Sequence, residues 1–183
     1  MLQYLKHLIQ LLLSPGQGWI DVEKDNPDPQ ELLSKGLYPM LGIAALSEFM
    51  VYVYGHAEPL ATVLIRAVAL FGAFFVSVFI AKLVFDYYMG ELTAGEGYDQ
   101  RRGANLTVLG LGLMALIQII TNCLPWSVMV VRFLPLYVVL VIYKAIPYMS
   151  VRRSCEMRFL LTAAGAIVAI PLLIYYLLYF IIP

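Results

Sequence analysis

The chain alternates between long apolar runs and short polar gaps. Five runs are about twenty residues long or longer, and they cover residues 36–54, 59–85, 105–124, 127–146 and 159–182. A helix rises about 1.5 Å per residue, so about 20 apolar residues are needed to cross the hydrocarbon core of a bilayer. The pattern therefore predicts an all-α, polytopic membrane protein with five transmembrane helices in one domain, residues 36–183.

Residues 1–35 carry a different pattern. Four aliphatic residues recur there at helical spacing, namely Leu2, Leu5, Ile9 and Leu12. Polar residues occupy the opposite side of the same helix, namely Gln3, Lys6, His7 and Gln10. An amphipathic helix that lies in the plane of the lipid headgroups fits this pattern. Further helix starts are predicted at Ser14-Pro15 and Asp28-Pro29, where a capping side chain precedes a proline at the first helical position.

Composition supports the membrane assignment. Of the 183 residues, 62% are apolar and 13% are charged, whereas charged residues make up about a quarter of an average soluble domain. The formal net charge is zero, so no general attraction to nucleic acid is expected. The two cysteines, Cys123 and Cys155, are predicted at opposite membrane faces and so cannot bond to each other within one chain.

The basic residues predict the orientation of the helices. Ten of the twelve Lys and Arg residues lie in three regions, separated by gaps that hold none: Lys6, Lys24 and Lys35, then Lys82, Arg101 and Arg102, then Lys144, Arg152, Arg153 and Arg158. Cytoplasmic loops retain an excess of Lys and Arg. Residues 1–35 are therefore predicted to be a cytoplasmic segment, and the C-terminus is predicted to lie outside.

Three charged residues fall inside predicted helices: Glu48, Arg66 and Arg132. Counted from the nearest outer helix end, each lies about 8–10 Å below the membrane boundary. A lone charge there costs several kcal/mol, so inward-facing, paired charges are expected. We expect a Glu48–Arg66 pair, with Arg132 either joining it or extending outward. The alternative is a site for an anion or a lipid headgroup, because two arginines outnumber one glutamate.

The loop predicted between the second and third helices contains six charged residues: Asp86, Glu91, Glu96, Asp99, Arg101 and Arg102. Four acids on a flexible loop could bind a divalent cation, but their spacing matches no calcium loop. A solvated loop of mixed charge is the commoner outcome of such a composition. A docking surface for a cytoplasmic protein is favoured over a metal site.

A basic loop precedes the last predicted helix and holds Arg152, Arg153 and Arg158. These side chains are candidates for contact with anionic lipid headgroups, although retention of positive charge on the cytoplasmic side already explains them. No motif typical of a catalytic, metal or cofactor site is present. The sequence therefore predicts no enzyme and no cofactor, and it predicts that His7 and His56 are solvated.

Several short segments resemble the Yip1-domain family, especially its small bacterial members. Residues 11–19, LLLSPGQGW, lead through an acidic stretch to Leu37-Tyr38-Pro39 at the first predicted helix. A second match is residues 134–137, LPLY, followed by residues 143–147, YKAIP, and a short basic loop. The resemblance implies five spans, a cytoplasmic N-terminus and location in a bacterial cytoplasmic membrane. Eukaryotic relatives act in vesicle trafficking and membrane shaping and bind small GTPases, and no catalytic residues carry over.

The resulting expectation is a non-enzymatic membrane scaffold or membrane-organising protein. It would act on cytoplasmic protein partners through residues 1–35 and 86–105, within a lipid bilayer whose anionic lipids are a further candidate partner. Self-association of several copies is compatible with the pattern. The alternative is a transporter, channel or lipid-handling protein with an anion or headgroup site at Glu48, Arg66 and Arg132.

Overall fold

The computed structural model describes residues 1–93, 99–124 and 133–181. Within those ranges the chain forms ten α-helices: α1 (Leu2–Leu13), α2 (Pro15–Asp25), α3 (Pro29–Leu32), α4 (Tyr38–Ser47), α5 (Met50–Val53), α6 (Leu60–Leu92), α7 (Gln100–Cys123), α8 (Leu134–Tyr143), α9 (Glu156–Ala164) and α10 (Ile170–Ile181). Two π-helical segments, Leu33–Leu37 and Gly165–Ala169, join α3 to α4 and α9 to α10. The all-α prediction is confirmed for these ranges.

Four continuous helical stretches are long and apolar enough to cross a membrane: Pro29–Val53, Leu60–Leu92, Gln100–Cys123 and Arg153–Ile181. The fourth predicted helix, 127–146, is described only from residue 133 onward. Its helical part, α8, has ten residues and is about 15 Å long, which is half of what a crossing needs. Four candidate spans are therefore observed, and five are not confirmed.

Helix α6 shows how such a stretch divides its surface. Small residues at every fourth position face other helices and are buried, namely Ala69, Ala73, Ser77 and Ala81. Large apolar residues face outward and are exposed, namely Leu60, Leu64, Val68, Phe75, Phe79 and Leu83. Small residues let neighbouring helix backbones approach closely, and lipid can cover the outer apolar face. These four small residues therefore form a packing face of α6.

Helix α1 packs against the bundle through the side that carries Tyr4 and His7, opposite to the Leu2 and Ile9 side that the sequence predicts to face the membrane. Tyr4, His7, Leu8 and Leu11 are buried, whereas Leu2 is 85% and Ile9 51% exposed. This side packs on α7 and on the π-helical segment before α4. A β-carbon at Gly36 or Gly112 would collide with Tyr4, so these two glycines leave the space that its ring occupies. Helix α1 thus belongs to the core of the bundle and leaves only its other side for the headgroup layer.

Three side-chain hydrogen bonds fix α1 and α2 to the rest of the bundle. The Tyr4 hydroxyl donates to the Val108 carbonyl at 3.2 Å. The indole Nε1 of Trp19 donates to the Val141 carbonyl at 2.9 Å, and the Tyr137 hydroxyl donates to the Leu12 carbonyl at 2.6 Å. Buried Tyr and Trp side chains usually find such partners. The first 25 residues are therefore built into the fold.

Only some of the helix starts have the capping hydrogen bond that the sequence predicts. Asp28 accepts a hydrogen bond from the backbone N–H of Glu31 at 3.3 Å, which confirms the predicted cap of α3. At α2 the predicted cap fails, because Ser14 makes no capping hydrogen bond, although Pro15 does occupy the first turn. Helix α7 begins at Gln100, five residues earlier than predicted, because Asp99 accepts from the first N–H groups of the helix.

Candidate functional site

The charged residues gather at two opposite ends of the bundle. We call one the basic end, where α2, the end of α6, the start of α7 and residues 144–158 meet. We call the other the distal end, where residues 48–58 meet the end of α7. Cys123 lies at the distal end and Cys155 at the basic end, and both are free. The predicted separation of the two cysteines is confirmed.

Glu48 lies at the distal end in a cluster of uncharged polar side chains. It caps the C-terminus of α4 and is only 8% exposed. Its Oε1 accepts from Asn122 Nδ2 at 2.9 Å and from Gln118 Nε2 at 3.3 Å. Asn122 Nδ2 also donates to Ser47 Oγ at 2.9 Å. Gln118 and Asn122 are four residues apart on α7, so both amides reach the same carboxyl group.

Arg66 does not pair with Glu48, and this part of the prediction is wrong. Its guanidinium forms an ion pair with Glu58, eight residues earlier in the turn before α6. Arg66 is 16% exposed and Glu58 30% exposed, so this pair is shielded from solvent but still near the surface. Arg66 Nε is buried and without a hydrogen-bond partner. The sequence interpretation missed Glu58 because it lies in a predicted outer turn rather than in a helix.

The third predicted intramembrane charge, Arg132, lies outside the described residues. Tyr175 on α10 interacts electrostatically with both Glu48 and Arg66, so the last helix also borders this region. Glu58 neutralises Arg66, so the described distal residues offer no unpaired cation to an anion. They offer instead one buried carboxyl group whose Oε1 is held by two amides. This arrangement favours a structural polar cluster over the predicted anion site.

The basic end is organised around Arg102. Its Nη2 donates to Glu23 Oε1 at 2.7 Å and its Nη1 to the Tyr148 carbonyl at 2.5 Å. Its Nε lies 3.5 Å from Asp99 Oδ2, and its guanidinium lies 5.4 Å from the centroid of the Tyr148 ring. We call Arg102, Glu23, Asp99 and Tyr148 the Arg102 network. It joins α2, α7 and the turn after α8 through one planar side chain.

Aromatic packing extends the network. The rings of Trp19 and Tyr148 stack with centroids 5.1 Å apart. Burial raises the pKa of the Tyr148 hydroxyl to about 12, so it stays neutral at physiological pH. Asn105 Nδ2 adds a hydrogen bond to the Pro27 carbonyl at 3.2 Å. The N-terminal segment is therefore held against α7 at several points of the basic end.

The predicted docking loop divides between internal and exposed residues. Arg102 and Asp99 act within the network and the α7 cap, while Asp86, Glu91 and Arg101 are exposed. Glu96 lies outside the described residues.

The predicted headgroup contacts divide similarly, because Arg152 Nε donates to the Thr93 carbonyl at 2.9 Å beside the Thr93–Val151 bridge. Arg153 and Arg158 are exposed and remain predicted headgroup contacts.

His7 is not solvated as predicted. Its side chain is fully buried, and its Nε2 lies 3.7 Å from Asp25 Oδ2. Neither ring nitrogen has a hydrogen-bond partner. Burial lowers the pKa of His7, and the nearby Asp25 carboxylate only partly opposes this. His7 therefore sits between α1 and the end of α2 as a neutral ring.

A groove of about 480 Å³ opens at the basic end between α2 and the turn that follows α8. Its lining combines apolar side chains with Glu23, Lys144 and Glu156.

Across the described part of the chain, no group of three His, Cys, Asp or Glu side chains could hold a metal ion. No protein-family model, no curated protein and no solved structure matches this chain.

Proposed function

We propose that the chain is a non-enzymatic integral membrane protein of the Yip1 type, which presents its basic end to a cytoplasmic protein partner. The observation that carries this proposal is the Arg102 network, which fixes three separate segments into one surface. Long apolar helices with exposed outer faces support a place in the membrane. The exposed charges around the network, Asp86, Glu91 and Arg101, are available to a partner.

The distal end supports the same proposal by contrast. The charges described there are neutralised or hydrogen-bonded by neighbouring side chains, namely Arg66 by Glu58 and Glu48 by two amides. Buried charges that are held in this way stabilise one arrangement of the helices. A scaffold needs a bundle of fixed shape, and it needs no solute pathway.

Photo-crosslinking in native membranes tests the proposal. A photoreactive amino acid at Glu91 (basic end) should capture a protein of defined mass, while one at the exposed Val53 (distal end) should capture only lipid. Arg102→Gln should weaken the crosslink because it releases Glu23 and the turn after α8. Arg158→Gln makes the same chemical change at an exposed residue outside the network and outside these partner-facing charges, and it should leave the crosslink unchanged. Equal crosslinks from both ends would contradict the proposal.

A second candidate is transport of a small cation through the bundle. The observation that favours it is the buried carboxyl group of Glu48 at the C-terminal end of α4, where a two-residue turn leads into α5. Broken helices with such ends hold cations in membrane transporters. The test measures the flux of sodium or potassium ions into vesicles that contain the purified protein. Glu48→Gln should abolish the flux and Glu91→Gln should not, and absence of flux in the unmodified protein excludes this candidate.

A further inference from the structure

The groove at the basic end is lined by both apolar and charged side chains. The apolar and aromatic ones include Trp19, Ile20, Tyr143, Ile146 and Pro147. The charged ones are one cation, Lys144, and two acids, Glu23 and Glu156. A volume of about 480 Å³ lies within the range of sites that bind a single small molecule. The groove is therefore large enough for a lipid headgroup and the first part of an acyl chain.

The walls of the groove are held in place without a ligand. Trp19 is fixed by its hydrogen bond to the Val141 carbonyl and by stacking on Tyr148. Glu23 is held by Arg102 at 2.7 Å. A site whose side chains are already ordered loses little entropy when a ligand binds. The groove is therefore pre-formed rather than opened by its ligand.

The charges select the headgroup chemistry. Lys144 lies with its Nζ 5.8 Å from the Tyr143 ring centroid, and within the described ranges no ion pair involves it or Glu156. An ammonium group is a partner for phosphate, and a carboxylate is a partner for an ammonium that can donate hydrogen bonds. A headgroup with one phosphate and one primary amine matches both groups. Arg102 already compensates the charge of Glu23, so an anionic headgroup without an amine would meet the unpaired carboxylate of Glu156, and a trimethylated amine could not donate to it.

The position of the groove indicates a lipid rather than a soluble ligand. It lies where apolar helices end, because α8 stops at Tyr143 and α9 starts at Glu156. Ile20, which lines the groove, is 57% exposed, and Met157 and Leu161 on α9 are each 67% exposed. Aromatic residues are typical of this boundary between headgroups and acyl chains. An acyl chain can leave the groove along these exposed apolar side chains.

We propose that this groove binds one phospholipid with a primary-amine headgroup, of the phosphatidylethanolamine type. Lys144 contacts the phosphate, Glu156 contacts the ammonium, and Ile20, Ile146 and Pro147 contact the upper part of an acyl chain. The proposal rests on the membrane location included in the proposed function and does not depend on the protein partner.

The test uses full-length protein in nanodiscs that contain a phosphatidylethanolamine probe with a photoreactive acyl chain. Matched probes carry phosphatidylcholine and phosphatidylglycerol headgroups, and labelled peptides are identified by mass spectrometry. We expect labelling of the segments around Ile20 and Ile146 that is strongest with phosphatidylethanolamine. Lys144→Gln and Glu156→Gln should each lower it about fivefold, as expected for one lost charged contact near a surface. Lys24→Gln, an equal charge change on an exposed lysine of α2 that does not line the groove, should not.

Three results would overturn the proposal: equal labelling by all three probes, stronger labelling by phosphatidylglycerol, or labelling that ignores both Lys144→Gln and Glu156→Gln. Thermal unfolding of each variant separates loss of the site from loss of the fold. The protein crosslink at Glu91 should persist in Lys144→Gln. Its persistence would show that the lipid site can be lost while the proposed partner surface still functions. Displacement of the probe by a captured protein would assign the groove to that partner and overturn the lipid assignment.

Discussion

At the scale of single residues, the ring of Tyr4 shows how one side chain joins three helices. It fills the space beside Gly36 and Gly112 and donates to the Val108 carbonyl at 3.2 Å. Each glycine lacks the β-carbon that would otherwise collide with the ring. The contact therefore depends on two glycines that are 76 positions apart in the sequence.

Gly112→Ala should be destabilising, because the new methyl group meets the buried Tyr4 side chain. Overpacking of this kind costs about 1–3 kcal/mol, or about 2–10 °C in Tm for a chain of this size. Gly72→Ala is the matched control, because a β-carbon there meets nothing within 4 Å and alanine favours a helix. Equal Tm values for the two variants in detergent would show that Tyr4 does not occupy this space.

His7 predicts a pH dependence of stability. Its pKa in the folded chain is lowered by burial from the ordinary 6.5, so the unfolded chain takes up a proton first as the pH falls. Its contribution to folding is therefore fully present above about pH 6.5 and is lost progressively at lower pH. Asp25 and Asp21 oppose the effect and Lys6 adds to it.

Thermal unfolding of the purified protein between pH 7.5 and 5.5 checks this prediction. We expect Tm to fall across that range in the unmodified chain and to fall less in His7→Leu, which keeps an apolar side chain in the buried position. Parallel Tm curves for the two proteins would mean that His7 is not the group responsible.

At the scale of elements, helix α1 differs most from expectation. Its sequence contains two apolar sides: Leu2 and Ile9 on one, and Tyr4, Leu8 and Leu11 on the other. Periodicity alone predicted a helix with the Leu2 and Ile9 side toward the membrane, and it missed the packing of the opposite side on the bundle because the polar His7 was assigned to solvent. The glycines that admit Tyr4 lie on other helices, so nothing within α1 could indicate which side is buried.

Deletion of residues 2–13 distinguishes a core helix from an interfacial one. The deletion removes buried Tyr4, Leu8 and Leu11, and one large buried side chain contributes about 2–5 kcal/mol. We expect Tm to fall by more than about 10 °C or the folded protein to be lost. An unchanged Tm with weaker membrane association would instead support the predicted headgroup location. The control is Leu2→Gln, a change at an exposed position of the same helix. It should leave Tm unchanged.

At the scale of the whole molecule, the apolar runs predicted the helical class and four of the five long segments. The remaining run, 127–146, is described only from residue 133 onward, where it contains α8. The sequence singled out Glu48 and Arg66 as unusual charges, but it could not predict which residues they contact. Gln118 and Asn122 become partners of Glu48 only through the packing of α4 on α7, and Glu58 reaches Arg66 through the turn that leads into α6.

The orientation of the bundle in the membrane stays a prediction, and the cysteines test it. Cys123 is exposed at the distal end and Cys155 is half-buried at the basic end. A membrane-impermeant thiol reagent added to intact cells should label Cys123, and Cys155 should react only after permeabilisation. Cys123→Ser should abolish the first signal. Labelling of Cys155 alone on intact cells would reverse the assignment of the two ends.

The two π-helical segments have a consequence for how the bundle is assembled. Each ends two residues before a proline, at Leu37 before Pro39 and at Ala169 before Pro171. A π turn holds one more residue than an α turn, so it takes up one extra residue while the helix on either side keeps its facing. Removing one residue from 33–37 should therefore leave an α turn with Glu48 still facing Gln118 and Asn122, whereas removing one residue from within α4 would rotate Glu48 by about 100° about the helix axis. The facing of the distal cluster is thus tolerant of a one-residue change of length at 33–37 and intolerant of the same change within α4.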